Sequence, residues 1–216
     1  MKKYLLLLFI ALSFVSCFFN QNIYKAADFD NKSAEIKTIA ILPFNVTTIG
    51  YLPRYISEAE IQLNNEKLSH SFQESLYNYL VLYTGNKKKE PVKEFQSLQK
   101  TNALLKQNNI SITDIYEKKP EDIAKLLGVD AVILTNIEEH KFWDEGTSYR
   151  GIHTEGNQNK NNSSDFAKIN CYLYTGNPSG LLWQTYCNGD TKLMNDTVSL
   201  IEYFTNWVAR HFPYRS

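Results

Sequence analysis

The chain has 216 residues and a formal net charge of zero, with 23 Lys and Arg against 23 Asp and Glu. Hydrophobic residues make up 43% and charged residues 21% of the chain, values that are ordinary for a globular protein and that exclude a fibre, wholesale disorder and a polytopic membrane protein. Because the charge is balanced, the composition gives no reason to expect a nucleic-acid partner.

Residues 1–16 have the layout of a secretory signal peptide, in which two lysines precede an apolar run that is too short to span a membrane. Ser16 directly before Cys17 resembles the lipobox of bacterial lipoproteins, in which the cysteine is diacylated and becomes the mature N-terminus. Phe14 departs from that pattern, since most lipoboxes carry Leu at this position. We predict lipidation of Cys17; the alternatives are an ordinary signal peptide cleaved nearby and an uncleaved anchor.

The lipid determines the expected location. A diacylated cysteine carries the two acyl chains that stable membrane anchoring requires. Phe18 follows Cys17 where an Asp retains lipoproteins at the inner membrane of enteric-type bacteria, so we expect the outer membrane, with the protein facing the periplasm. Residues 17–35 are mixed and polar without apolar periodicity, which predicts a short lipidated tether.

The remaining residues, 36–216, are enough for one domain with its own core. Their alternating strand and helix patterns predict a single α/β domain, a mixed sheet with helices packed on it and a C-terminal β-hairpin plus helix. Strands are predicted at 36–46, 80–84, 129–137, 168–175 and 181–187. Helices are predicted at 58–79, 91–106, 120–127 and 197–211, the last with Val198 among its inward side chains. The polar, Asn-rich stretch 138–166 predicts a mobile loop.

Two cysteines remain after Cys17, an even number in a protein expected to reach an oxidising compartment. Cys171 and Cys187 lie on the predicted hairpin, where odd-numbered positions share one apolar face. A register that pairs them allows a disulfide, whereas a slip of two residues places the sulfurs diagonally and leaves two free thiols. Both alternatives stay open, and neither is catalytic because no redox or metal spacing accompanies the pair.

Four short motifs resemble a group of bacterial envelope lipoproteins. In chain order they are 38–44 (TIAILPF), an amphipathic helix with Phe72 and Leu76, 127–133 (LGVDAVI) and 180–183 (GLLW). The group includes the curli secretion channel lipoprotein and the lipoprotein activators of penicillin-binding proteins, and is similar to the N-terminal domain of the Tol-system translocation protein. The resemblance covers most of residues 36–212. It implies a non-enzymatic accessory protein of the cell envelope, and it leaves homo-oligomer formation open because the channel relative forms rings.

Two departures narrow what the resemblance implies. The channel inserts long amphipathic hairpins into the membrane, whereas residues 138–170 begin with Glu-Glu-His-Lys and continue into an Asn-rich run, which argues against a pore. The activators reach through the cell wall on a long disordered linker, which this chain lacks. Direct activation of an inner-membrane synthase is therefore not expected.

The sequence carries no catalytic motif of a familiar kind. The nucleophile elbow, phosphate loop, dinucleotide fingerprint and HExxH zinc motif are all absent from it, so no catalytic residue, metal or cofactor is predicted. One polar cluster surrounds the predicted loop, and we favour a solvated loop over a metal or acid–base site there. The candidate contacts for a partner or ligand are His140, Phe142, Trp143, Tyr149 and His153.

The leading hypothesis is a membrane-anchored lipoprotein, not an enzyme, that binds an envelope protein during envelope assembly or export. The alternative is a surface-exposed binding lipoprotein, or an unrecognised hydrolase, that uses the 138–166 loop.

Overall fold

The computed structural model describes residues 23–51, 56–85, 93–142, 166–177, 179–190 and 196–215. Among these residues, seven strands form one mixed sheet and six helices pack on it. The strands are Ile23–Lys25 (β1), Thr38–Ile41 (β2), Asn45–Tyr51 (β3), Glu94–Phe95 (β4), Ala131–Phe142 (β5), Phe166–Gly176 (β6) and Ser179–Asp190 (β7). The helices are Phe29–Glu35 (α1), Glu58–Thr84 (α2), Leu98–Gln107 (α3), Ile112–Glu117 (α4), Pro120–Leu127 (α5) and Thr197–His211 (α6). The predicted single α/β domain, with its C-terminal hairpin plus helix, is confirmed.

Strand β5 is the centre of the sheet, whose order is β1-β7-β6-β5-β2-β4 with β3 also on β5. β6 runs antiparallel along one edge of β5, and β2 and β3 pair in parallel with successive parts of the other edge. The apolar run 36–46, predicted as one strand, is therefore two strands in line, interrupted around Pro43. Proline has no backbone N–H to donate, so a ladder of hydrogen bonds breaks there.

A tyrosine from α4 fills this break in the ladder. The Tyr116 hydroxyl accepts hydrogen bonds from the backbone N–H of Asn45 (3.1 Å) and of Thr135 (3.2 Å). It lies 2.9 Å from the carbonyl oxygen of Pro43 and 2.7 Å from that of Thr135, so it can donate to either. Burial raises the pKa of Tyr116, and the phenol therefore stays protonated. One side chain thus provides hydrogen bonds to several backbone groups that would be costly to leave unpaired in the interior.

Helices cover both faces of the sheet and create two apolar cores. Helices α1, α2 and α6 close the first core, whose largest buried side chains are Phe44, Phe72, Trp183 and Phe204. The rings of Phe44 and Phe72 stack with their centroids 5.5 Å apart. Helices α3, α4 and α5 close the second core around residues such as Ile123. Each large apolar side chain that is fully buried stabilises the fold by about 1.5–3 kcal/mol.

Helix α2 is 27 residues long and begins with a capping box, in which Ser57 and Glu60 each accept a hydrogen bond from the other's backbone N–H. It continues through Thr84, so the strand predicted at 80–84 is wrong. Leu80 and Thr84 extend the buried helical stripe of Leu76, and this packing overrides the local β-propensity. None of the helices in the described ranges is both long enough and apolar enough to span a membrane.

The tether predicted over 17–35 is wrong for residues 23–35, which belong to the domain. β1 pairs antiparallel with β7, and α1 buries Phe29 against Tyr214, with ring centroids 5.7 Å apart. The sequence hides this docking because α1 has seven residues and buries only Phe29, which is too few for a visible periodicity. Cys17 and the signal peptide 1–16 lie outside the described residues.

Two other boundaries differ from the prediction. The helix predicted at 91–106 begins only at Leu98 as α3, because residues 94–95 form β4 beside β2. The loop predicted at 138–166 begins later, since β5 continues to Phe142 and pairs with both β3 and β6 as far as His140. Residues 143–165 lie outside the described residues. The helices predicted at 120–127 and 197–211 are confirmed, and Gly128 ends the first with φ +67°, a backbone conformation that favours glycine.

The hairpin register leaves the two cysteines unpaired. Cys171 stands opposite Thr185 and Cys187 opposite Ile169, a slip of two residues, and both cysteines are free. The disulfide alternative is therefore wrong in this structure, and the diagonal alternative holds. Burial raises the pKa of the Cys171 thiol to about 12 and that of Cys187 to about 11, so both are protonated and unreactive at neutral pH.

Candidate protein-binding surface

Of the five contact residues predicted around the polar loop, the structure places one side chain, that of His140. Phe142 is the last residue of β5, and only its backbone is described. Trp143, Tyr149 and His153 lie outside the described residues. The structure therefore does not test whether the five form one surface.

His140 is packed on the sheet between its neighbours. Its ring stacks on Phe166 with the centroids 4.2 Å apart, and its Nε2 lies 3.5 Å from a carboxylate oxygen of Glu138. The side chain keeps 19% of its exposure. Among the described residues, no group of three or more His, Cys, Asp or Glu is arranged to hold a metal ion. The contacts of His140 are those of a residue that fixes neighbouring strands.

Asp130, in the segment 127–133, also has a structural role. Its carboxylate accepts hydrogen bonds from the backbone N–H of Lys37 and Thr38, both 2.8 Å long, and from the Thr38 hydroxyl at 3.0 Å. Burial opposes ionisation, but the hydrogen bonds from Thr38 and Lys37 outweigh it and lower the pKa of Asp130. The ionised side chain ties the start of β2 to the start of β5.

A polar cleft of about 510 Å³ lies next to Asp130, between α1 and α5. Its charged lining mixes acids with Lys32 and Lys125. Lys32 already pairs with Asp28 at 2.9 Å. A lining of mixed sign, with one of its two lysines already paired inside the domain, selects neither an anionic nor a cationic ligand.

The surface whose lining best suits a protein partner is the outer groove between α2 and α6, which we call the α2–α6 groove. It has a volume of about 480 Å³. Its lining residues are Ser71, Glu74, Ser75, Asn78, Tyr79, Leu82, Val198, Ile201 and Glu202. Leu82 is 60% exposed and Val198 is 63% exposed. Apolar side chains exposed together and rimmed by polar ones are typical of protein-interaction sites.

The groove is held in shape from below. The Ser75 and Thr205 hydroxyls share a 2.8 Å hydrogen bond, and the Tyr83 hydroxyl donates to the side chain of Asn206 at 2.8 Å. Beneath these bonds, Leu76 and other buried residues of the same two helices belong to the first core. Because the two helices are fixed to each other, the groove exists before any partner arrives, which reduces the ordering cost of binding.

Among the described residues that line the groove, the charged side chains are of one sign. Glu74 and Glu202 are its charged lining residues, one on each helix, and the other polar lining is neutral hydroxyl or amide. An apolar anchor between Leu82 and Val198 would therefore be flanked most favourably by Lys or Arg on the partner.

The sequence pattern does not indicate this groove, for two reasons. Leu82 fell in a segment predicted as strand, and Val198 was expected to point inward with the apolar stripe of α6. Val198 is instead exposed in the first turn of α6, which Asp196 caps by accepting from the Ser199 N–H at 2.7 Å. The sequence did contain one indication of an exposed apolar site. Leu82 is apolar but lies outside the buried stripe of α2 that continues to Leu80.

No model of a known protein family matches the chain, and no curated protein is similar to it in sequence. Among solved structures, the LpoB C-terminal domain from Salmonella enterica is 15% identical, with 71% of this chain and 82% of that one covered and a TM-score of 0.39. Lipoprotein GNA1162 from Neisseria meningitidis is 16% identical, with coverages of 81% and 99% and a TM-score of 0.39. The PelC dodecamer from Paraburkholderia phytofirmans is 10% identical, with coverages of 88% and 96% and a TM-score of 0.41. Likenesses this distant assign no function to the chain.

Proposed function

We propose that this protein is a membrane-anchored bacterial lipoprotein that binds another envelope protein at the α2–α6 groove, as a non-enzymatic accessory factor in envelope assembly or export. The lipid on Cys17 anchors it, at the outer membrane and facing the periplasm. The observation that supports binding is the exposure of Leu82 and Val198 above a firmly packed pair of helices. The observation that supports anchoring is the lipobox-like sequence that ends at Cys17.

The groove favours a partner segment of defined chemistry. An apolar side chain fits between Leu82 and Val198, and basic side chains beside it face Glu74 and Glu202. Because Leu82 is 60% and Val198 63% exposed, covering them contributes about 1–2 kcal/mol for each side chain that becomes fully buried, before the costs of association. The expected interaction is therefore modest in solution and depends on both proteins being held at one membrane.

The short N-terminal segment keeps the domain close to that membrane. Residues 18–22 are all that separate the proposed lipid on Cys17 from the start of β1 at Ile23. A chain this short reaches at most about 20 Å. The domain therefore stays beside that membrane, and we expect its partner at the same membrane.

Site-specific photo-cross-linking in intact cells tests the groove. A photoreactive amino acid replaces Leu82 in one variant and Leu63 in a matched control; Leu63 lies on the same helix, is 54% exposed and does not line the groove. We expect a discrete cross-linked product at position 82 that disappears when Val198→Glu is added, and no such product at position 63. Equal products at both positions, or none at position 82, would contradict the proposed groove.

Membrane fractionation and protease digestion test the anchor. The unaltered chain should sediment with the outer membrane and resist protease added to intact cells, and Cys17→Ala should release it to the soluble periplasm. Digestion on intact cells would instead favour the surface-exposed alternative.

A further inference from the structure

The sheet has three strands with an outer edge on which no described strand is hydrogen-bonded: β1, β3 and β4. β1 has three residues and includes Lys25, and β4 has two residues and includes Glu94. Short length and charge are the usual protections of an edge strand against pairing with another chain. β3 has seven residues, NVTTIGY, and no charge. It is therefore the edge that lacks these protections.

The β3 strand is firmly held rather than frayed. It pairs with β5 at every residue from Asn45 to Tyr51. On the face toward α2, Val46 is buried and the Thr48 hydroxyl donates to the side-chain oxygen of Asn65 at 3.0 Å. On the opposite face, Thr47 is exposed and Ile49 is 41% exposed. The outer edge thus presents backbone donors and acceptors in an extended geometry as far as Ile49, and Gly50 follows with φ +127°, a conformation that favours glycine.

A groove of about 420 Å³ opens beside the N-terminal end of β3, lined in part by Asn45, Val46, Gln62 and Ser69. Ser69 is only 1% exposed, and its hydroxyl has no hydrogen-bond partner among the described residues. Buried hydroxyls are normally paired. The groove beside the N-terminal end of β3 is therefore incompletely filled by the described residues.

We propose that the β3 edges of two copies of this chain pair antiparallel about a twofold axis at Thr48, which joins their sheets into one. The β3 strand is self-complementary in charge, because it carries no charged residue and its pairing with a second copy brings no like charges together. In this register Thr47 stands opposite Ile49 of the second copy, twice, and both members of each pair are β-branched residues that favour strands. The exposed Ile49 side chains become covered, and Val46 stands opposite Gly50, which has no side chain to oppose it.

The pairing also predicts where assembly stops. A twofold contact uses the same edge of both copies, so it leaves no β3 edge free for a third. This inference concerns a surface other than the α2–α6 groove and does not depend on the proposed partner.

Disulfide trapping in membranes of cells that make the full-length chain tests the pairing. At the twofold axis, Thr48→Cys places two Cβ atoms about 4.5–5.5 Å apart, close enough for a disulfide after small adjustments. The matched control is Tyr24→Cys on the protected edge β1, where the side chain is 49% exposed and therefore more accessible than the half-buried Thr48. We expect a covalent dimer for Thr48→Cys and none for Tyr24→Cys.

Two further variants make the result decisive. Adding Ile49→Lys, which places a charge at an exposed position of β3, should reduce the Thr48→Cys dimer several-fold while the chain stays folded. Adding Leu82→Glu should leave the dimer unchanged, which separates this inference from the proposed groove. Absence of the Thr48→Cys dimer, an equal dimer from Tyr24→Cys, or no effect of Ile49→Lys would overturn the proposal.

Discussion

Helix α2 presents apolar residues on two sides that differ completely in their surroundings. On the inner side, Phe72, Leu76 and Leu80 are fully buried in the first core. On the outer side, Leu82 is mostly exposed and lines the α2–α6 groove. The inner side therefore stabilises the fold, whereas the outer side is free to serve the binding that we propose. Variants on the two sides should therefore have separable effects.

The largest expected effect is on the inner side. Phe72→Ala removes a fully buried ring that stacks on Phe44, and we expect the free energy of unfolding to fall by about 3–5 kcal/mol. Leu82→Ala on the outer side should change it by less than about 0.5 kcal/mol. Denaturant titration followed by far-UV circular dichroism measures both. Similar losses for the two variants would remove the distinction between the sides.

The second prediction extends the comparison to a buried polar group. Tyr116→Phe keeps the ring but removes the hydroxyl that bonds the backbone at Asn45, Pro43 and Thr135. We expect a loss of about 1–3 kcal/mol in unfolding free energy, because buried backbone groups lose their partner. Tyr172→Phe, which removes the hydroxyl of another half-buried tyrosine, on β6, is the control and should cost less. Equal stability of Tyr116→Phe and the unaltered chain would show that the hydroxyl does not close the ladder break.

The smallest effect concerns a hydrogen-bonded carboxylate near the surface. The pKa of Asp130 is lowered in the folded chain, so its contribution is present above the unfolded-state pKa and is lost as the pH falls through the folded-state pKa. Asp130→Asn should therefore reduce stability at pH 7 by less than about 1 kcal/mol. The gap between variant and parent should narrow as the pH falls below about 4. Urea titrations at pH 7 and pH 3 measure it, and a gap that widens in acid would contradict the assignment.

The sequence predicted the parts of the fold where many apolar residues repeat or where a cap marks an end. The helix at 120–127 has acids in its first turn and Gly128 after its last residue, and both ends were predicted correctly. The fold class followed from such segments. The short elements were missed, because α1 and β4 depend on one docked aromatic each, Phe29 and Phe95, rather than on a periodic pattern.

The candidate surface was harder to predict than the fold. Exposure of Leu82 and Val198 depends on how α2 and α6 cross, which no local pattern encodes. The hydrogen-bonding role of Tyr116 could likewise not be predicted, since it depends on a break between two strands that are distant from it in sequence. The role of His140 as a partner or ligand contact stays a prediction, and its contacts with Phe166 and Glu138 arise from positions on paired strands that the sequence pattern does not show.

The most direct test of the central claim is complementation of a deletion strain, scored as resistance of the envelope to detergent. Leu82→Glu with Val198→Glu alters only the outer side, and Leu63→Glu is the matched control on the same helix. Both proteins should be membrane-bound and within about 0.5 kcal/mol of the parent in unfolding free energy. We predict that the double variant fails to restore resistance and that Leu63→Glu restores it. Full restoration by the folded, anchored double variant would contradict the claim that the α2–α6 groove is the binding surface.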